Sequence, residues 1–156
     1  MSGPTATNLT LASICDAIES ALGAVTGIVR SQSYDELTEG MGSFPTLQVF
    51  PVRWNVDART GTDRSTFKAG LRTTDQTIYC DLFIGPRGGP SPGQQMSTLV
   101  GLIDLVNVEL KTQTAASPPF DLTGIKACWW TGEHVTLDNS SVLYVGARWT
   151  ITLRTF

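Results

Sequence analysis

The segment from Leu143 to Leu153 constrains the fold most, because its side chains alternate between two classes. One class is apolar and comprises Leu143, Val145, Ala147, Trp149, Ile151 and Leu153. The other class comprises Tyr144, Gly146, Arg148, Thr150 and Thr152. A period of two predicts a β-strand that buries one of its faces. The chain must therefore form a sheet with an apolar face that something covers.

Two segments predict amphipathic helices that can cover this face. In residues 9–22 and from Ser97 to Lys111, apolar side chains recur at steps of three and four residues. Asn8 or Thr10 can cap the start of the first helix, and Gly23 can supply a left-handed cap at its end. The first residue of the second segment is its candidate N-cap.

Two further strands are predicted from Thr46 to Trp54 and from Thr74 to Ile84. Pro45 and Pro51 suit a strand at the edge of a sheet, because proline has no N–H to donate to a neighbouring strand. The two strands, together with residues 55–72 between them, predict a long hairpin loop that projects from the domain.

The remaining segments are assigned mainly by composition. Residues 31–43 are polar and predict a loop with at most one helical turn. Residues 85–93, which read GPRGGPSPG, predict a connector. Residues 125–130 and 135–137 predict short strands, with a turn at 138–140.

This order of elements predicts an α+β domain that spans residues 1–156. Its sheet is expected to be largely antiparallel, with four to five strands, because hairpins join most consecutive strands. Both helices are expected to pack on one face of that sheet. A length of 156 residues suits a single domain.

The composition disfavours several classes of protein. Charged residues make up 16% of the chain, against about 25% in an average globular protein, and the uncharged surface favours self-assembly. A net charge of −3 disfavours a role in binding nucleic acid. We expect neither a signal peptide nor a membrane span, because Asp16, Glu19 and Gly23 interrupt the first apolar stretch.

No group of residues predicts a metal or cofactor site. Cys15, Cys80 and Cys128 are too far apart in sequence for a metal knuckle or a disulfide framework, and they predict buried, reduced thiols. His134 is the single histidine, and we expect it in an exposed turn beside Glu133. Without a second histidine or a cysteine pair, a zinc site lacks donors.

Two further features have both a structural and a chemical interpretation. Residues 85–93 lie between a strand and a helix, as phosphate-binding loops do, but they lack the Lys-Ser/Thr ending and the G-x-G-x-x-G spacing. Asp35, Glu36 and Glu39 could exchange protons, but in a polar loop they predict a solvated acidic patch. We therefore predict that the protein is not an enzyme and needs no cofactor.

Candidate partner-binding residues lie in one basic segment and in a pair of tryptophans. The basic side chains are Arg53, Arg59, Arg64, Lys68 and Arg72, against two acidic residues in the same segment. This segment is either a solvated tip or a docking element for an acidic neighbour. Trp129 and Trp130 must face opposite sides of a strand. We single out Trp130 as an interface candidate, with packing against the helices as the alternative.

The order of elements resembles the tail terminator proteins of long-tailed bacteriophages. An N-terminal amphipathic helix precedes the proline-bounded segment Phe44-Pro45-Thr46-Leu47-Gln48-Val49-Phe50-Pro51. The strand Ile78-Tyr79-Cys80-Asp81-Leu82-Phe83-Ile84 then leads to the second helix. The chain closes with Tyr144-Val145-Gly146-Ala147-Arg148-Trp149-Thr150-Ile151-Thr152-Leu153, similar to the closing strand of many such proteins.

The resemblance implies a structural role in the virion. It implies a hexameric ring, assembled in the host cytoplasm, that caps the head-proximal end of the tail tube and stops its growth. The implied partners are the tail-tube protein and a neck or head-completion protein, with DNA only as passing cargo. If the long basic segment lined the lumen of the ring, it would bind the passing DNA. We therefore place it at the rim of the ring.

Two alternatives remain open at the level of sequence. A head–tail connector or neck protein of similar size is the closer one. The other belongs to a different class and is a small α+β ligand-binding domain or enzyme, with residues 85–93 at its pocket.

Overall fold

Two helices and five strands make up the described part of the chain. The computed structural model describes residues 9–35, 44–56, 74–86, 92–139 and 142–155. The elements are α1 (Leu11–Gly23), β1 (Arg30–Gln32), β2 (Thr46–Val56), β3 (Thr74–Pro86), α2 (Pro92–Ala115), β4 (Ile125–Asn139) and β5 (Val142–Thr155). A short 3-10 turn, Pro119–Asp121, lies between α2 and β4.

The five strands form one mixed sheet in the order β1-β2-β3-β5-β4. The pair β1 and β2 is parallel, and the other three pairs are antiparallel. The predicted α+β class and the largely antiparallel sheet are therefore confirmed. The strand β5 lies between β3 and β4, so the segment with the clearest alternation occupies an interior position.

Both helices pack on the same face of this sheet. Their buried side chains share one hydrophobic cluster with the alternating apolar residues of β2, β3 and β5. The helical members are Ile14, Cys15, Ile18, Leu22, Leu99, Leu102, Val106 and Leu110. The strand members are Leu47, Val49, Ile78, Cys80, Leu82, Val145, Ala147, Trp149, Ile151 and Leu153.

The first helix begins as predicted but ends differently. Thr10 is the N-cap, because its hydroxyl oxygen accepts the Ser13 N–H at 3.1 Å and its own N–H donates to Ser13 Oγ at 3.2 Å. The predicted left-handed cap at Gly23 is wrong, since the helix includes Gly23 and the C-cap Ala24 has right-handed φ and ψ. A side chain at position 23 would instead collide with β1, because a Cβ there would lie 2.5 Å from Ser31 Oγ.

The strand β1 lies in a segment for which we predicted a loop. Two hydrogen bonds join this region to α1: Ser31 Oγ donates to Glu19 Oε1 at 2.6 Å, and Ser33 Oγ donates to Asp16 Oδ1 at 2.8 Å. Three residues cannot show a period of two, so tertiary contacts determine this strand. The acidic positions 36 and 39 lie outside the described residues.

The helix α2 is longer than predicted at both ends. It begins at Pro92, so the predicted N-cap Ser97 lies inside it. Proline is favoured in the first turn, where its missing N–H costs nothing. The residues after Pro92 are Gly, Gln and Gln, which show no apolar periodicity. The sequence pattern therefore did not predict this first turn of the helix.

The two hairpins are longer than the sequence indicated. Val56 pairs with Thr74, so β2 and β3 form the predicted hairpin, while residues 57–73 of its loop lie outside the described residues. The two short strands predicted at 125–137 are one strand, β4, which continues to Asn139. Gly132 does not interrupt it, because Gly132 pairs with Trp149 and leaves room for that ring.

Candidate assembly surfaces

The described residues do not bring metal-binding side chains together. Within those ranges, no three His, Cys, Asp or Glu side chains form a group that could hold a metal ion. His134 is exposed, as predicted, but it lies on β4 and not in a turn. Asp35 is exposed at the end of the described segment 9–35. Of the Gly/Pro-rich connector at 85–93, residues 87–91 lie outside the described part of the chain.

The cysteines are unreactive thiols. Cys15 and Cys80 are buried and Cys128 is half-buried, and all three are free. Burial raises the pKa of Cys15 to about 11 and that of Cys128 to about 12, and it raises the pKa of Cys80 well above its usual value. Because the thiolate is the nucleophile, these groups are poor nucleophiles at neutral pH.

The structure describes one member of the predicted basic surface. Arg53 is exposed on β2, opposite Thr77 of β3. The other four positions, Arg59, Arg64, Lys68 and Arg72, lie outside the described residues. Trp54, next to Arg53, is 60% exposed and was not among the predicted partner-binding residues.

The adjacent tryptophans face opposite sides of β4, as predicted. Trp130 is half-buried and packs against the hydrophobic cluster, while Trp129 is 42% exposed. The Arg154 guanidinium lies 5.4 Å from the Trp129 ring centre. The more exposed ring is therefore that of Trp129, whereas our interface candidate Trp130 is largely an extension of the core.

On the sheet face away from the helices, two ion pairs join β3 to β5. Arg148 Nε and Nη2 each donate to a different oxygen of the Asp81 carboxylate at 2.8 Å. Asp81 is only 3% exposed, and the Arg148 guanidinium also lies 4.1 Å from the centre of the Tyr79 ring. Phe50 meets Tyr79 edge to face at 5.9 Å. These two parallel hydrogen bonds join residues that lie directly opposite each other in β3 and β5, and they favour this register.

A second ion pair lies nearer the other end of the same two strands. Arg154 donates to both oxygens of the Asp75 carboxylate, at 2.8 and 3.0 Å. These hydrogen bonds lower the pKa of Asp75 below its usual value. Both side chains are about one third exposed, so solvent screens the pair and its contribution to stability is small.

A cleft of about 280 Å³ lies between α2 and β4. Its walls include Ile103 and Asn107 from α2 and Trp130 and His134 from β4. The Trp149 indole N–H donates to Asn107 Oδ1 at 2.9 Å, so the polar atom of this buried ring is satisfied. The cleft follows the edge of the sheet on the helix side.

The outward side of α2 carries several exposed apolar side chains among its polar ones. Four of its apolar residues are between 44% and 62% exposed: Met96, Val100, Leu105 and Val108. Only three of its 24 residues are charged, namely Asp104, Glu109 and Lys111. Among the described residues, no helix is long and apolar enough to cross a bilayer.

Comparison with known proteins gives no family assignment. A scan against protein-family models finds no match, and a search of curated proteins finds none either.

Proposed function

We propose that this chain is a structural subunit of a ring that caps the head-proximal end of a phage tail tube, stops its growth and receives the neck proteins. The sequence resemblance to tail terminator proteins supplies the biological role. The exposed apolar side chains of α2 are the observation that carries the self-assembling part of the proposal. Exposed apolar side chains that lie close together favour an interface, and here the surface that covers Val100, Leu105 and Val108 is a second copy.

A ring requires a heterologous contact, in which two different surfaces meet and the rotation between copies closes. In this proposal the outward side of α2 is one of those surfaces. The basic segment that begins at Arg53 then faces the tube or the neck, at the rim. The ring acts in the virion, and its basic rim binds partners with acidic surfaces.

The contribution of α2 can be tested with Leu105→Glu/Val108→Glu. Both side chains are exposed in the single chain, so the variant should keep its folded structure while the charges prevent the helix from being buried. We expect native mass spectrometry to show rings of about six copies for the unmodified chain and monomers or dimers for the variant.

A matched control places the same two charges elsewhere. Ser20→Glu/Thr26→Glu changes two exposed residues, one in the last turn of α1 and one beyond its end, and should leave the rings unchanged. Rings of unaltered copy number in the α2 variant would show that this surface does not carry the assembly.

The basic segment supplies a test of the biological role. Charge reversal at Arg59 and Arg64 should leave the fold intact and weaken capping, because an acidic partner would then meet acidic side chains. In a complementation assay we expect tails of uncontrolled length. Normal tail length with this variant would contradict a docking role for the segment.

One observation favours the ligand-binding alternative, namely the cleft between α2 and β4. Two tryptophans and the side chains of Asn107 and His134 surround it, as in many small-molecule sites. Its volume of about 280 Å³ lies just below the range of such sites, which run from about 300 to 1,000 Å³. The lining residues of the cleft also include none of the described residues of 85–93, where the alternative had placed its pocket.

A further inference from the structure

The two edges of the sheet differ in how well they are protected. Beyond Gln48, no described strand pairs with the outer edge of β2. The strand β2 carries Pro51, which has no N–H, and its pairing with β3 is irregular immediately after this residue. Both features discourage pairing with another strand. The opposite edge is β4, which has 15 residues and no proline.

We propose that β4 pairs antiparallel with β4 of a second copy, about a two-fold axis at Gly132, so that two five-stranded sheets become one. An exposed long edge strand is a template for another strand. Because a two-fold contact joins copies only in pairs, it cannot close the ring. The inference therefore goes beyond the proposed function and uses a different surface.

The position of Gly132 supports this axis. It is the central residue of Ile125–Asn139, so this register gives the longest overlap of the two strands. On the helix side, Trp130 lies opposite His134 of the second copy, beside the open cleft. Gly132 adds no side chain on the axis, where these two pairs approach each other.

The other face of β4 is equally compatible with this register. Trp129, which is 42% exposed, lies opposite Val135 of the second copy. Thr131 lies opposite Glu133, so no two like charges meet there. Apolar cross-strand pairs stabilise a sheet, and like charges directly opposite each other destabilise it.

The neighbouring registers are less favourable. With the axis at Thr131, the Trp129 ring would lie opposite the Glu133 carboxylate. With the axis at Glu133, the two Glu133 carboxylates would lie opposite each other, which is unfavourable. Each shift also leaves residues at the strand ends without a partner. Charge and overlap therefore select the axis at Gly132.

A cross-linking experiment tests both the pairing and its register. Thr131 and Glu133 are exposed, so Thr131→Cys/Glu133→Cys should fold normally. The thiol at 131 in one copy would then lie opposite the thiol at 133 in the other, with Cα atoms about 4.5–5.5 Å apart, as a disulfide requires. We expect mild oxidation to give a covalent dimer that a reductant separates.

The single variants are the register controls. With Thr131→Cys alone, or Glu133→Cys alone, the two new thiols of a dimer lie two residues apart along the paired strands. This distance is too long for a disulfide. All variants should carry Cys128→Ser, which removes the one native cysteine that is not fully buried. Cross-linking of a single variant as efficiently as the double variant would overturn the axis at Gly132, and cross-linking of none would overturn the pairing.

Two measurements separate this inference from the proposed function. The unmodified chain must contain the β4 contact, so sedimentation at increasing concentration should detect rings joined in pairs, or dimers where no ring forms, without any substitution. The variant Leu105→Glu/Val108→Glu should lose rings and keep this dimer. Loss of the dimer with that variant would contradict an independent β4 contact, whereas a chain that dimerises but never forms rings would contradict the proposed function alone.

Discussion

Replacing Arg148 with methionine is expected to lower the free energy of unfolding by about 3–5 kcal/mol. The Asp81 carboxylate is only 3% exposed, and both of its oxygens accept hydrogen bonds from the Arg148 guanidinium. The variant would leave this carboxylate buried without a cation. An uncompensated buried charge costs far more than the net contribution of the intact pair.

Urea denaturation measures this effect, and a double variant provides the control. Asp81→Leu/Arg148→Met removes both charges and should restore most of the stability, because apolar side chains of similar size often replace a buried ion pair at little cost. Equal destabilisation in the single and double variants would show that lost packing, and not the unpaired carboxylate, is responsible.

Replacing Gly146 with alanine is expected to cost about 3 kcal/mol, at the upper end for overpacking. Gly146 of β5 lies opposite Phe83 of β3. A Cβ at this position would collide with the Leu82 carbonyl oxygen and would lie 2.7 Å from Phe83 Cδ1. The main chain of β3 cannot move aside as a flexible side chain would, so the pairing of β3 with β5 must be distorted.

The matched control is Gly101→Ala. Gly101 is exposed in α2, and a Cβ there would meet no atom within 4 Å. Alanine is the better helix former by about 1 kcal/mol, so this variant should be more stable than the unmodified chain. Thermal denaturation of both variants gives shifts of opposite sign. A stable Gly146→Ala variant would contradict the close approach of β3 and β5.

Periodicity predicted those elements that bury one side and are long enough to show it. The strands around Ile78 and Ile151 and both helices belong to this group. The strand β1 could not be predicted, because three residues show no period and hydrogen bonds from Ser31 and Ser33 to α1 position it. The extra turn at the start of α2 and the continuity of β4 through Gly132 were hidden for a similar reason, since glycine and glutamine carry no apolar signal.

The sequence pattern also could not predict which tryptophan of the pair faces the helices. Alternation counted from Ile125 would bury Trp129 and expose Trp130. An irregular register between Ile125 and Ala127 reverses this count, so Trp130 faces the helices. The exposed apolar residues of α2, Val100, Leu105 and Val108, can also be read from the sequence. The periodicity that predicted the helix identifies only its buried side.

The interior position of β5 affects how the polypeptide folds as it is synthesised. Asp81 and Arg148 are 67 residues apart in the chain, and Asp75 and Arg154 are 79 apart. Until β5 has left the ribosome, β3 has only β2 beside it, and β4 has no neighbour in the sheet. Contacts between distant residues form slowly. A nascent chain halted before Val142 should therefore expose to chaperones the edges of β3 and β4 that β5 later covers, together with part of the apolar side of α2.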